Sequence, residues 1–243
     1  MECNTVKDAL LKIHQLKEGD CLILDIDDTI IMPEAMMFHP CSPFSKFIDD
    51  LKKKKHEKLP QILSNWRLRR KIKLVEEDWV EIINLLKSRG VKVIALTAMQ
   101  SGAFGGISSM EEWRVKELRE HGIIFSPFAQ NSIEKIIDKE NAATLHQGVL
   151  FTGSHPKDKV LNGFINKYTK PNKIIFFDDR LEQVQLLHDY CAKANIDYRG
   201  YHYTAASKRV YDSAKDRGAF QTKELIETNR WFEDEDIEKN LRK

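Results

Sequence analysis

Apolar residues recur along this chain in two rhythms. Spacings of three and four predict helices, and short unbroken runs predict buried strands. Over residues 5–17, Val6, Ala9, Leu10, Ile13 and Leu16 share one helical face, and Gly19 marks the stop. The run CLILDI (21–26) reads as a fully buried strand. VKVIAL (91–96), entered through Ser88-Arg89-Gly90, reads the same way. The helix before it, about 75–88, turns Trp79, Ile82, Ile83, Leu85 and Leu86 toward a core. A loop, QSGAFGG (100–106), leads into a helix opened by Ser108 or Ser109 and closed near His121-Gly122. Each serine has a glutamate three residues later, a capping-box pattern. IIF (123–125) and GVLFT (148–152) predict short strands separated by a helical excursion. KIIFF (173–177) predicts the next buried strand, followed by a helix over 181–194 and a last strand around 197–203. The tail, 223–243, mixes charge signs at helical spacing with a few apolar anchors, which predicts a helix docked on the domain edge or frayed.

Buried strands alternating with helices predict an α/β fold: a three-layer, Rossmann-like parallel sheet covered on both faces. In such sheets ligands bind at the carboxyl ends of the strands. Residues 32–74 break the rhythm with prolines, the run KKKK (52–55) and the basic stretch WRLRRKIKL (66–74). They predict a helical, cap-like insertion after the first strand, leaving 1–31 and 75–243 as the α/β core.

Composition narrows this only a little. The 243 residues, 42% hydrophobic and 31% charged, suit one large domain or one domain with a modest insertion. A net charge of +2 weighs against a nucleic-acid partner, and no apolar run approaches the roughly 20 residues of a membrane span. The first twenty residues lack an apolar signal core, so the chain reads as cytosolic, or as exported if a leader has been removed. Cys3, Cys21, Cys41 and Cys191 form no CxxC pair, which argues against zinc. Reduced thiols are expected, with Cys21 a small buried residue in a strand; a disulfide stays open.

The candidate chemistry lies at the strand ends. Asp25, Asp27 and Asp28 crowd one end, and Asp178 and Asp179 crowd another. Either group alone reads equally well as helix caps. Together, with Thr97 at a third strand end, they predict carboxylates so close that a hard cation must neutralise them, Mg²⁺ being the expected ion.

These residues also carry a family resemblance. Cys21-Leu22-Ile23-Leu24-Asp25-Ile26-Asp27-Asp28-Thr29 resembles the first motif of the haloacid dehalogenase superfamily. Val93-Ile94-Ala95-Leu96-Thr97-Ala98 resembles the second, and Ile174-Ile175-Phe176-Phe177-Asp178-Asp179 the fourth. The third needs a lysine at a helix start between them. Lys157 and Lys159 both qualify, and Lys157 with Leu161 and Phe164 fits better. The motifs span roughly residues 20–205 in order. The chain looks most like bacterial acid phosphatases with an insertion after motif one, and like a related bacterial family of the same layout.

The resemblance implies Mg²⁺-dependent hydrolysis of a small-molecule phosphate monoester. Asp25 would be the nucleophile and Asp27 the acid and base, with Thr97, Ala98 and Lys157 holding the phosphoryl group. The metal would lie on the Asp25 carboxylate, the Asp27 backbone carbonyl and Asp178, with Asp179 a ligand or a contact to a metal-bound water. Asp28 and Thr29 would shape the loop. Glu182 departs from the Asp or Asn common at its position. Alternatives are phosphoryl transfer to another acceptor and a low-turnover binding or effector protein. The basic stretch Trp66–Lys73, with Lys52–Lys55, could attract an anionic substrate or nucleic acid but is weighed toward a solvated helix face; the glycine-rich loop could bring backbone amides to phosphate but is weighed toward a plain connection. His39, His155 and His202 are expected to be surface or hydrogen-bonded residues, with His155 notable for lying near the lysine.

Overall fold

The computed structural model describes all residues except 40, 41, 45, 54–56, 139, 140, 209–216, 242 and 243. It opens with β1 (Glu2–Cys3), a 3-10 turn (Val6–Ala9), α1 (Leu10–Ile13) and β2 (Cys21–Leu24). Next come β3 (Ile31–Pro33), α2 (Phe47–Lys53), α3 (Leu59–Arg69) and β4 (Ile72–Leu74). The middle of the chain holds α4 (Asp78–Ser88), β5 (Lys92–Thr97), α5 (Met110–Glu120), β6 (Glu134–Ile137), β7 (Ala143–His146) and β8 (Val149–Phe151). The remainder is α6 (Lys157–Lys167), β9 (Lys173–Asp178), α7 (Leu181–Lys193), β10 (Asp197–Tyr203), α8 (Arg217–Glu227) and α9 (Asp234–Leu241).

Eight strands form one sheet in the order β1-β10-β9-β2-β5-β8-β7-β6. The pairs from β1 through β8 are parallel, and β8-β7 and β7-β6 are antiparallel. Alternation across the pleat explains why helices cover both faces. Leu22 and Leu24 of β2 join a core with Ile13, Trp79, Ile83 and Leu118, the face of α1, α4 and α5. Cys21 and Ile23 join the opposite core with Leu161, Phe164 and Leu187, the face of α6 and α7. This α/β sandwich is compatible with a Rossmann-like fold. The chain runs outward from β2 to β5 and β8, then returns to β9 on the other side of β2, so its topology switches at β2. A switch point opens a crevice at the strands' carboxyl ends.

Several elements differ from the sequence reading. The first helix is only a 3-10 turn and one α turn; Thr5 caps the former with Asp8 in a capping box. Residues 123–125 form no strand, although the Ser126 amide and hydroxyl both bond to Val93 of β5, each at 2.8 Å. In place of a helical excursion the chain folds the antiparallel strands β6 and β7. The β7–β8 hairpin turns on Gln147 (φ 48°) and Gly148 (φ 80°), the left-handed pair that suits a two-residue hairpin loop. A side chain at 148 would collide with the Ser126 carbonyl.

Residues 31–74 leave and return through β3 and β4, an antiparallel ribbon pairing Ile31 with Leu74. The region is thus helical on a two-stranded stem. Its apolar side forms a third core of Ala35, Met37, Leu51, Ile62 and Trp66 together with Leu225 and Trp231 from the tail. The sequence division at residue 74 does not anticipate this partnership. Lys71 donates its amide to Glu233 at 2.7 Å, and Trp231 Nε1 donates to the same carboxylate at 2.7 Å. The tail is therefore two helices closing over the insertion. Among the described residues no helix is long and apolar enough to cross a membrane. Cys3, Cys21 and Cys191 are buried free thiols; Cys41, and Lys54 and Lys55 of the lysine run, lie outside the described residues.

Candidate active site

The end of β2 is extended by the Asp25 amide, which donates to the Phe177 carbonyl at 2.9 Å and so fixes Asp25 beside β9. The chain then turns tightly: the Ile26 carbonyl accepts from the amides of Ile30 (2.9 Å) and Ile31 (3.1 Å). Asp28 adopts φ 60° in this turn, a left-handed conformation that aspartate tolerates better than most residues. Thr29 is fully buried beneath it. On β9, Asp178 accepts from the Arg180 amide at 2.9 Å, which orients its carboxylate.

Lys157 opens α6 and is buried. Its Nζ lies 2.5 Å from Asp25 Oδ1 and 2.6 Å from Asp178 Oδ2, bridging the ends of β2 and β9. Lys159 faces away, with its side chain 70% exposed. Asp25, Asp178 and Asp179 offer ligand oxygens all within 4.8 Å of one another. Three carboxylates against one ammonium leave an excess of negative charge, and all the donors are oxygens, the set a hard divalent cation takes. The donor set therefore suits a hard divalent cation.

The electrostatics agree. Burial pushes the Asp25 pKa up, Asp178 adds to it, and Lys157 opposes both. Asp179 is also raised, by burial and by the charges of Asp25 and Asp178. Burial works against the Lys157 charge, but Asp25 and Asp178 outweigh it and hold its pKa above the ordinary lysine value. Asp28 is pushed up to about 7 by burial and by Asp27, and among the described residues its Oδ1 has no hydrogen-bond partner. Thr97, buried at the end of β5, and the exposed Ala98 line the same cavity.

Asp27 belongs to a different group. Its side chain, half exposed, takes two hydrogen bonds from Arg114 at 2.9 and 3.0 Å, with Arg70 at 3.8 Å. Burial would raise its pKa, but Arg114, Arg70 and Arg67 outweigh that and hold it below the usual carboxylate range. Its carboxylate is thus outside the three-aspartate cluster. Arg114 and Arg70 also share Glu117, at 2.6 and 3.0 Å, and Arg70 stacks over Trp66 at 4.6 Å.

Arg67 and Arg70 lie in the basic stretch, and the solvated-face reading fails for both; Arg114 is a residue of the site that the sequence reading does not name. Arg69 and Lys71 alone, of the arginines and lysines from 67 to 71, are exposed. The glycine-rich loop is more than a connection. Gly102 donates its amide to Glu111, and Gly106 donates to the Ser64 hydroxyl of α3 at 2.8 Å. Glu182 pairs with Arg180 (2.7 Å from Nε) outside the cavity lining. His202 contacts the Asp179 carbonyl at 3.0 Å, while His39 is buried and His155 lies off the cavity.

The cavity holds about 460 Å³. Its floor is the aspartate cluster with Lys157 and Thr97, one wall is arginine, and Phe38, Ile48, Leu59, Leu63 and Trp66 of the insertion form an apolar roof.

The sequence matches the family described as "Protein of unknown function (DUF2608)" over residues 2–238. The chain belongs to this family. It is similar to "Uncharacterized protein RP296" of Rickettsia prowazekii, 24% identical over 95% of this chain and 86% of the relative. It is also similar to a Chlamydia pneumoniae protein described as "Putative outer membrane protein", 23% identical over 84% of this chain and 78% of that protein. No solved structure gives a significant match. These likenesses carry no chemistry, so the geometry alone bears on function for this DUF2608 member.

Proposed function

We propose that this protein is a magnesium-dependent phosphohydrolase akin to the haloacid dehalogenase superfamily, cleaving a phosphate monoester through an aspartyl-phosphate on Asp25. One observation carries the reading: Lys157 Nζ bridges Asp25 and Asp178 at 2.5 and 2.6 Å, in one cavity with Thr97 and Asp179. Residues that four separate motifs single out meet at the carboxyl ends of neighbouring strands. The insertion roofing them suits a cap that selects the substrate.

Attack by an Asp25 oxygen in line forms an O–P bond as the ester P–O bond breaks. Lys157 and Thr97 hold the phosphoryl oxygens, where negative charge spreads. A protonated Asp27 gives its proton to the leaving oxygen. As a carboxylate it then takes one from the water that attacks phosphorus, releasing phosphate and restoring Asp25. Bound Mg²⁺ would supply positive charge at Asp25, Asp178, Asp179 and the phosphoryl oxygens.

The Arg114 pair favours ionised Asp27 and so opposes its first protonation. That contact favours a second reading, a low-turnover binding or effector protein. The deciding experiment compares p-nitrophenyl phosphate hydrolysis by wild type and Asp25→Asn, with and without chelator. Metal-dependent turnover that survives the substitution removes Asp25 as nucleophile. No phosphate release from a broad panel of esters selects the binding reading.

A further inference from the structure

The arginine wall carries more positive charge than its carboxylates consume. Arg70 is held by Glu117 in a two-pronged pair, and Arg114 is divided between Asp27 and Glu117. Arg67 has no carboxylate within ion-pair distance among the described residues; its guanidinium lies over the Phe104 ring at 5.1 Å, with Met110 Sδ at 4.0 Å. It nonetheless lines the cavity and is only partly exposed. A partly desolvated guanidinium beside two others is unfavourable unless an anion joins it. The charge of Asp25 bears on Arg114, whereas Arg67 answers chiefly to Arg114, Asp27, Arg70 and Glu117. Asp49 of the insertion lines the same cavity, but among the described residues it makes no ion pair with Arg67, so the anion that joins Arg67 arrives with the ligand.

We propose that Arg67 binds a second anionic group on the leaving group of the phosphate ester, so that the preferred substrates are small bisphosphates or phosphorylated carboxylates. This rests on the phosphohydrolase reading. The transferred phosphoryl group sits on Asp25, Thr97 and Lys157, and the second anion reaches across the cavity to the arginine wall. Guanidinium suits both anions, since each presents two oxygens to its fork.

The test uses a matched set on a flexible three-carbon chain: propyl phosphate, 3-(phosphonooxy)propanoate and propane-1,3-diyl bisphosphate, with p-nitrophenyl phosphate as reference. Phosphate release gives kcat/KM for wild type, Arg67→Gln and Arg67→Lys, each checked by thermal melting. Wild type should prefer at least one charged ester over propyl phosphate by roughly 10- to 100-fold, the scale of a charge-assisted hydrogen bond. The better of the two identifies the second anion as carboxylate or phosphate. Arg67→Gln should erase the preference through KM, read as the ratio of charged to uncharged alkyl ester within each variant so that any effect through Asp27 cancels, and Arg67→Lys should restore part of it. Equal rates on charged and uncharged esters in wild type overturn the proposal even if either variant fails to fold. So does a preference that survives Arg67→Gln. Release from none of the four esters overturns the phosphohydrolase reading, and this inference with it.

Discussion

Replacing Lys157 with methionine keeps much of its volume and removes its charge. The wild-type ammonium touches Asp25 and Asp178 at 2.5 and 2.6 Å in a buried setting, with Asp179 close by. Removing one partner of a buried ion pair costs about 3–5 kcal/mol, because the other is left uncompensated. At roughly 2–4 °C per kcal/mol for a chain of this size, Tm should fall by roughly 6–20 °C. Asp25 and Asp179 already have raised pKa values, so the native state binds their protons more tightly than the unfolded chain does. Their contribution to stability is therefore present at low pH and is lost as pH rises through the folded values. The deficit of Lys157→Met should accordingly be largest near about pH 8 and shrink toward about pH 5. Mg²⁺ at about a hundredfold over its Kd would return about 2.7 kcal/mol, and more of the deficit should be recovered in the variant than is gained by wild type. Scanning calorimetry in chelator and in MgCl2 reads all of this without any substrate. A variant that melts with wild type in chelator at the higher pH, or a wild type indifferent to Mg²⁺, refutes the three-carboxylate argument.

Asp25→Asn should lower phosphate-ester turnover at least about 1000-fold while leaving Tm no lower, since the buried charge it removes is disfavoured; turnover and melting measured on one sample check both. Arg114→Lys loses the two-pronged hold on Asp27 and lets its pKa rise, so it should improve alkyl esters, which need a proton on the leaving oxygen, relative to p-nitrophenyl phosphate. An unchanged ratio would separate Asp27 from proton transfer. Asp28→Asn should raise Tm above about pH 7 and have little effect near about pH 4, because the raised Asp28 pKa opposes folding only when the group is ionised, and asparagine suits φ 60°; melting curves at the two pH values decide it. Trp231→Ala should cost about 3–5 kcal/mol of stability by opening the third core, and should raise KM through the loosened Trp66 and Phe38; denaturant titration and steady-state kinetics report the two effects.

The sheet was legible because each central strand is buried on both faces and so appears as an unbroken apolar run bounded by acids, as in CLILDI and KIIFF. The meander at β6 and β7 was not, since Glu134–Ile137 carries charge and is only partly buried. Its hairpin signal, a glycine at 148 between two apolar runs, was present but rested on a turn chemistry that Gln-Gly advertises weakly. In the site, the carboxylates and Lys157 were readable from position alone: each stands at a strand end or helix start. The arginine wall was not. Arg114 and Glu117 sit three apart on a helix, a spacing that exposed ion pairs also use; the fold buries them and brings Asp27 and Arg70 to them. Charge in a sequence reports what a residue can pair with, and the fold decides whether water or protein supplies the partner.

The roof of the cavity is a joint product of two distant stretches of chain. Trp66 and Phe38 rest on Trp231 and Leu225, across most of the α/β sheet's sequence. During synthesis, then, the acidic floor can assemble well before the cover that excludes water from it, since closing so long a loop comes late. A chain interrupted before α8 would carry every floor and roof residue but lack the Leu225 and Trp231 that back the roof. The support of the roof is thereby tied to synthesis of the polypeptide through residue 231, where Leu225 and Trp231 meet Trp66 and Phe38.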